Sequence, residues 1–317
     1  MGSSHLNPPE TVQQEKPDYA AFAKQTYATM HTAIDQSMQQ GGERSILTVI
    51  GEGHVSYLDY SDPMGASAES ETPFVAGAFT EVAALEASKR LFGSENTILS
   101  VEMEPEDLAD FISTLKDEDF VFEAPDIEVT MYHAIVYAHK NNIEIVPNDF
   151  ASDLYDSDEE RDLMMIDAIS AVSRDDERKS VVHIGGAAHL SNMSGYTDEQ
   201  IANSAGQLKF SSELSPFHNI YEQTVFVNTF QDPNHYILDR NNPNPARLLG
   251  ELNYMMNSEN AIQVTPPGPI DAEVLKNLVS MVEDAANEVA LEASHTLEAN
   301  NKLNTDDAAP AWTKCGW

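Results

Sequence analysis

Residues 46–54 read ILTVIGEGH, an apolar run rich in β-branched side chains that ends in glycine. Such a run predicts a buried β-strand. Side chains two positions apart on a strand point the same way, so we expect Glu52 and His54 to project together from the strand end. Residues 181–189 read VVHIGGAAH and repeat this pattern, with glycines and then a histidine. The two segments together indicate a site where these strands end.

The rest of the chain alternates apolar runs with helical patterns, which predicts an α/β fold with a mostly parallel central sheet flanked by helices. The predicted strands are 46–50, 97–101, 143–146, 181–184 and 221–228. We divide the chain into a flexible N-terminal arm (1–17), an α/β domain (18–240) and a C-terminal helical extension with its tail (241–317). In sheets of this kind, ligands collect at the carboxyl ends of the strands.

The charge of the chain limits its partners. Among 317 residues, 53 are acidic and 17 are basic, which gives a formal net charge of −36. This argues against nucleic-acid binding, which needs a basic face, and against docking on an anionic membrane. No run of 18 apolar residues predicts a membrane span, and the first residues lack the apolar centre of a signal peptide. We expect a cytoplasmic protein, or one secreted without a cleaved signal peptide.

Four residues that closely follow predicted strands are the candidate catalytic residues: Glu52, His54, Glu102 and His189. A carboxylate serves as a general base, and an imidazole binds metals or carries protons near neutral pH. Burial of Glu102 at a strand end is costly unless the carboxylate is paired or metal-bound. The structural alternatives are a turn residue with a capping histidine for the first pair, and an acidic helix N-terminus around Glu102.

Four further polar residues receive mainly structural interpretations. Asp149 ends the third predicted strand and is either a site residue or a cap of the next turn. His183 lies inside a strand, where a hydrogen-bonded core histidine is the better interpretation. Glu81 and Glu86 lie on a predicted helix, where we expect a solvated face. None of the four is counted among the candidate catalytic residues.

Three short motifs resemble those of a known superfamily. They are Gly-Glu-Gly-His at 51–54, Ser-Val-Glu-Met at 100–103 and Gly-Ala-Ala-His-Leu at 186–190. Their order resembles the superfamily of TIKI/TraB-type peptidases, ChaN-like haem-binding proteins and erythromycin esterases, which includes toxin domains such as the Ras-cleaving toxin domain. The first two motifs are similar to the ChaN-like branch and the third to the TIKI/TraB branch, so the resemblance covers about residues 45–230.

The resemblance implies a hydrolase of an amide or ester bond in a protein or small molecule, with a secreted bacterial effector or toxin as one setting. In one version His54, Glu102 and His189 bind a divalent metal, for which manganese, cobalt or zinc is suited. The metal would activate a water whose proton passes to Glu52. In a metal-free version His54 is the base and Glu52 orients it. Two alternatives are a ChaN-like protein that binds haem or another ligand, and a non-catalytic effector that binds a host protein.

Overall fold

The computed structural model describes residues 17–41, 45–52, 77–115, 129–150, 154, 160–161, 164–165, 168–169, 179–186, 224–228, 267–268, 270 and 272–306. In chain order, its main elements are α1 (Tyr19–Gly41), β1 (Ile46–Glu52), α2 (Gly77–Phe92), β2 (Thr97–Val101), α3 (Pro105–Thr114), α4 (Val129–Lys140), β3 (Glu144–Pro147), β4 (Ser180–Gly186), β5 (Thr224–Asn228) and α5 (Ala272–Asp306). A short 3-10 turn, Ser94–Asn96, leads into β2. The described residues between 160 and 169 are helical.

The strands form one sheet in the order β3-β2-β4-β1-β5, and every neighbouring pair is parallel. The predicted α/β fold with a parallel central sheet and flanking helices is therefore confirmed. β1 lies between β4 and β5, and its register with β4 runs from Ile46 opposite Ser180 to Glu52 opposite Gly186. Because all strands run the same way, their carboxyl ends share one edge of the sheet, which we call the carboxyl edge.

One face of the sheet carries the main apolar core. Val182 and Ile184 of β4 and their register partners Leu99 and Val101 of β2 are completely buried in it. Helices α1, α2, α4 and α5 complete this core, with Phe22, Tyr27, Met30, Phe79, Val82, Leu85, Ile135, Leu275, Leu278 and Val282. The C-terminal helix therefore shares the core of the sheet, packing on α1 and α2.

The opposite face of the sheet carries polar side chains near the carboxyl edge. Ser100 and His183 are register partners in β2 and β4, and both are completely buried. Side chains alternate between the two faces of a strand, so this pair lies on the face opposite Val101 and Ile184. Glu102 follows Ser100 by two positions and belongs to the same polar face. Ser100, His183 and Glu102 thus lie on the face opposite the apolar core formed with α1, α2, α4 and α5.

The sequence-based placement of Glu81 and Glu86 on a solvated face is wrong. Both belong to α2, and their exposed fractions are 0% and 1%. Helix α2 packs against the sheet, α1, α4 and α5, and its residues 77–88 are all buried. The helical pattern alone does not reveal this, because the covering surfaces come from distant parts of the chain.

The buried carboxylate of Glu86 lies at the centre of an ionic group that we call the helix cluster (Glu86, Lys89, Arg90 and Tyr137). Lys89 Nζ lies 2.5 Å from Glu86 Oε2, and Arg90 Nε lies 2.5 Å from Glu86 Oε1. The Tyr137 hydroxyl donates a hydrogen bond to the same carboxylate. Arg90 Nη2 also donates to Asn287 Oδ1 of α5 at 2.7 Å. The helix cluster therefore links α2 to α4 and α5.

These contacts determine the ionisation of the helix cluster. Burial raises the pKa of Glu86, as expected for a charged group removed from water. The hydrogen bonds donated by Lys89, Tyr137 and Arg90 oppose burial, and they bring the pKa of Glu86 below its ordinary value of 4.5. Burial and the contact with Glu86 raise the pKa of Tyr137 far above its usual range. The group thus combines an ionised carboxylate with a neutral phenol.

Helix α5 is the longest described helix, with 35 residues. Its first half buries Leu275, Leu278 and Val282, whereas residues 290–296 are exposed on every side. Glu288 and Glu292 contact Lys24 of α1 at the surface, at 3.3 Å and 2.6 Å. Within the part of the chain that the structure describes, neither this helix nor any other is sufficiently long and apolar to cross a membrane.

Candidate functional site

The carboxyl edge gathers the positions to which the sequence assigns chemistry. β1 ends at Glu52, which is level with Gly186 at the end of β4. Glu102 directly follows β2, and Asn148 directly follows β3. The architecture thus brings together four strand ends that are far apart in sequence, as expected for a parallel sheet.

Glu102 is nearly buried and is held by an arginine. Its backbone N–H donates to Ile184 O at 3.0 Å, which continues the pairing of β2 with β4. Its side chain is 6% exposed, and Arg161 Nη2 donates to its Oε1 at 2.5 Å. The predicted need for a partner at this strand end is therefore met by a cation from the chain itself.

Arg161 also holds Asp149, so that one guanidinium joins two carboxylates. Its Nη2 lies 2.8 Å from Asp149 Oδ2, and its Nε donates to Asp149 Oδ1 at 2.9 Å. The same Oδ1 accepts a hydrogen bond from the backbone N–H of Phe150 at 2.7 Å. We call Glu102, Asp149 and Arg161 the edge cluster. Asp149 therefore pairs with Arg161 and also caps the next turn, as one of its two interpretations from the sequence predicts.

His183 lies beside the edge cluster, inside the sheet. Its Nδ1 is 3.1 Å from the Ser100 hydroxyl and 3.4 Å from Asn148 Nδ2. All three side chains are completely buried. A buried histidine with hydrogen-bond partners agrees with the core interpretation, and the ring also lies near the strand ends, beside Glu102.

Gly185 allows Glu102 and His183 to approach each other. A Cβ at residue 185 would lie 2.9 Å from Glu102 Oε2 and 3.1 Å from His183 Nε2. The first distance is shorter than real Cβ contacts and the second is tighter than most of them, so a side chain at residue 185 would push the carboxylate away and crowd the imidazole. The second strand that ends in glycines therefore needs a glycine at residue 185, because Glu102 and His183 occupy the space of a side chain there.

The four candidate catalytic residues differ in what the structure describes. Glu102 is described in full. Glu52 is described as the last residue of β1, with its side chain outside the described atoms, and His54 and His189 lie outside the described residues. The part of the site that the structure describes is therefore the part at the ends of β2, β3 and β4.

The contacts of Glu102 bear on the metal-binding version of the site, whose two histidines lie outside the described residues. No group of three potential ligands from His, Cys, Asp and Glu occurs within the described ranges. Glu102, the one described member of the predicted set, already has its charge matched by Arg161, which it shares with Asp149. A divalent cation at Glu102 would lie beside this guanidinium and be repelled by it. The edge cluster does not fit a metal in its observed arrangement.

Sequence reasoning missed Arg161, Ser100 and Asn148. Arg161 is the only basic residue in the acidic run 153–162, and a single cation in such a run is the one signal that pointed to it. Ser100 and Asn148 carry no signal of their own, since small polar residues commonly occupy strands and turns. Their importance depends on His183, which reaches them only through the register of the sheet.

Comparisons with known proteins add no family to this description. The chain matched no protein-family model, no curated protein and no solved structure. The superfamily resemblance therefore stays a prediction from three short motifs.

Proposed function

We propose that this chain is a hydrolase of amide or ester bonds whose site lies at the carboxyl edge and works without a metal. The observation that carries the proposal is the edge cluster, in which a nearly buried Glu102 fixes Arg161 beside the strand ends. A buried ion pair is weak evidence for a role in stability, because removing charges from water costs solvation energy, and its place at the strand ends favours a role in a site.

The register of β1 and β4 supports the involvement of His54 and His189. Glu52 and Gly186 are opposite each other at the strand ends, and neighbouring strands are about 4.8 Å apart. His54 follows Glu52 by two residues and His189 follows Gly186 by three. Both histidines therefore belong to segments that leave the sheet from adjacent positions on the same edge.

In this proposal His54 is the general base and Glu52 orients it. A water activated by the imidazole would attack the carbonyl carbon of the substrate, and negative charge would develop on the carbonyl oxygen. Arg161 supplies a positive charge that Glu102 and Asp149 hold in place before the reaction begins. Fixed charges of this kind stabilise a transition state without reorganisation. His189 would be a second imidazole, which donates a proton to the leaving group.

The metal-free form is favoured because of the electrostatics of Glu102. Its Oε1 accepts from Arg161, and the guanidinium lies between it and Asp149. The two acids and the one cation give the cluster a net charge of −1, but the guanidinium is bound to both carboxylates and would repel a second cation placed beside them. Because Glu102 already pairs with Arg161, we expect activity to survive treatment with a chelator.

Hydrolysis of p-nitrophenyl butyrate and of fluorescein-labelled casein by the purified full-length chain tests this function. We expect His54→Ala to lower the rate by about 10²–10⁴-fold, the usual contribution of a general base, with an unchanged urea unfolding curve. His139→Ala is the control, because His139 is an exposed histidine at the end of α4. Full activity in His54→Ala would contradict the proposal. Complete loss of the wild-type activity on treatment with a chelator would also contradict it.

A further inference from the structure

We propose that His183 is a positioning residue that fixes the Glu102 carboxylate across Gly185 and, through it, the Arg161 guanidinium. The inference rests on the proposed function, since Arg161 is the charge that the reaction would use. It gives a role in the site to a residue whose sequence position indicates only a core histidine.

Two polar groups hold the His183 ring at Nδ1. Asn148 Nδ2 is a hydrogen-bond donor and lies 3.4 Å away, and the Ser100 hydroxyl lies 3.1 Å away and is free to rotate so that it donates. Donors on this side make Nδ1 the acceptor nitrogen of a neutral imidazole. The ring proton then belongs on Nε2, because the partner of one nitrogen determines the proton position on the other.

The other ring nitrogen faces the carboxylate. His183 Nε2 and Glu102 Oε2 both lie about 3 Å from the single point that a Cβ on Gly185 would occupy. The two atoms are not directly hydrogen-bonded to each other, so the link that we infer runs through one water that bridges them beside Gly185. An N–H on Nε2 would therefore face a carboxylate oxygen, with the glycine leaving the space between them open.

Glu102 would thus be restrained at both oxygens. Arg161 Nη2 donates to Oε1, and His183 acts on the side of Oε2. A carboxylate restrained at both ends has one orientation, so the guanidinium that it binds is also restricted to one orientation. Residues that orient a reacting group in this way commonly change activity by about 10–100-fold when removed.

A pair of variants separates positioning from packing. The amide nitrogen of Gln reaches the position of Nε2, whereas that of Asn reaches only the position of Nδ1, so His183→Gln keeps the donor near Glu102 and His183→Asn loses it. With p-nitrophenyl butyrate we expect kcat to fall by about 10–100-fold in His183→Asn and by less than about 10-fold in His183→Gln, with KM unchanged. Equal losses in both variants would overturn the proposal. His133→Gln is the control, since His133 is a buried histidine of α4.

Nuclear magnetic resonance of the ¹⁵N-histidine-labelled full chain tests the same inference without any substrate. The His183 signal is assigned by its loss in His183→Gln, and we expect a neutral ring protonated on Nε2. Gly185→Ala should shift this signal, whereas Gly268→Ala, at a site packed by Pro17, should not. A proton on Nδ1 overturns the inference even if the chain hydrolyses its probes. If the wild-type chain hydrolyses neither probe, the proposed function fails, and this spectrum still decides how His183 is held.

Discussion

The edge cluster holds two carboxylates on one guanidinium, whereas the helix cluster holds one carboxylate on two cations and a phenol. Glu86 finds Lys89 and Arg90 three and four residues away on its own helix. Glu102 depends on a cation 59 residues away. The helix cluster takes both of its cations from the helix of Glu86, so one cation remains if the other is removed, as suits a joint between packed helices. The edge cluster depends on one long-range cation, which it holds at the strand ends, the usual place for ligands in a parallel sheet.

The comparison predicts that each cluster is most sensitive at its shared member. Glu86→Ala should lower the free energy of unfolding by about 3–5 kcal/mol, because it leaves a buried phenol and two cations without their common acceptor. Urea unfolding followed by circular dichroism measures this. Hydrolytic activity per folded molecule should stay unchanged, and a large loss of activity at constant fold would contradict the separation of the two clusters.

Arg161→Ala should lower the free energy of unfolding by about 2–3 kcal/mol, less than Glu86→Ala because Asp149 is partly exposed to water. The same change leaves two adjacent carboxylates without a cation. We therefore expect the variant to gain thermal stability when Mn²⁺ or Zn²⁺ is added, and the wild-type chain to gain none. Differential scanning fluorimetry measures both responses.

Arg90→Ala is the matched control for Arg161→Ala. Glu86 keeps Lys89 and Tyr137 in this variant, so we expect a loss of only about 1 kcal/mol and no response to metal. A metal-induced stabilisation of the wild-type chain equal to that of Arg161→Ala would show that the guanidinium does not compete with a divalent cation.

Acid should weaken the helix cluster over a defined range of pH. The pKa of Glu86 in the folded chain lies below 4.5, its ordinary value. The stability that the carboxylate contributes is therefore complete above about pH 4.5 and is lost as the pH falls from there through the folded pKa. Urea midpoints of the wild type and Glu86→Gln should converge over this acidic range. A constant difference at every pH would contradict the linkage.

The smallest effect is expected at the surface of α1. Lys24 contacts Glu288 and Glu292 of α5, and these contacts raise its pKa. All three groups are solvated, and exposed ion pairs contribute little because water and salt screen them. Lys24→Ala should therefore leave the urea midpoint unchanged at moderate salt. A clear destabilisation would mean that α5 is anchored by charge rather than by the apolar side chains of its first half.

The sequence predicts the fold well because its strongest signals are local. Apolar runs and helical spacing give the parallel α/β class and strand positions within a few residues: the third strand is predicted at 143–146 and observed at Glu144–Pro147. The order of strands has no local signal, since β1 pairs with β4 and β5 rather than with β2. The class is therefore accessible from pattern, and the arrangement is not.

The candidate site also has a part that the sequence predicts and a part that it does not. Glu102 is predictable because a carboxylate directly after a buried strand needs a partner. The identity of that partner is not, because Arg161 reaches Glu102 only when a distant helical segment folds over the sheet. His183 likewise has an ordinary sequence context and gains its relation to Glu102 through register and the absence of a side chain at Gly185.

The position of β1 in the sheet has a consequence for how the protein is made. Ile46 can pair only after its register partner Ser180 has been synthesised, and the other neighbouring strand, β5, begins at Thr224. At a synthesis rate of about 5–20 residues per second, the first strand stays unpaired for roughly 7–27 seconds on the ribosome. An apolar strand with two open sides is prone to association with other chains during that time. The large negative charge of the chain would keep nascent copies apart until the centre of the sheet is complete.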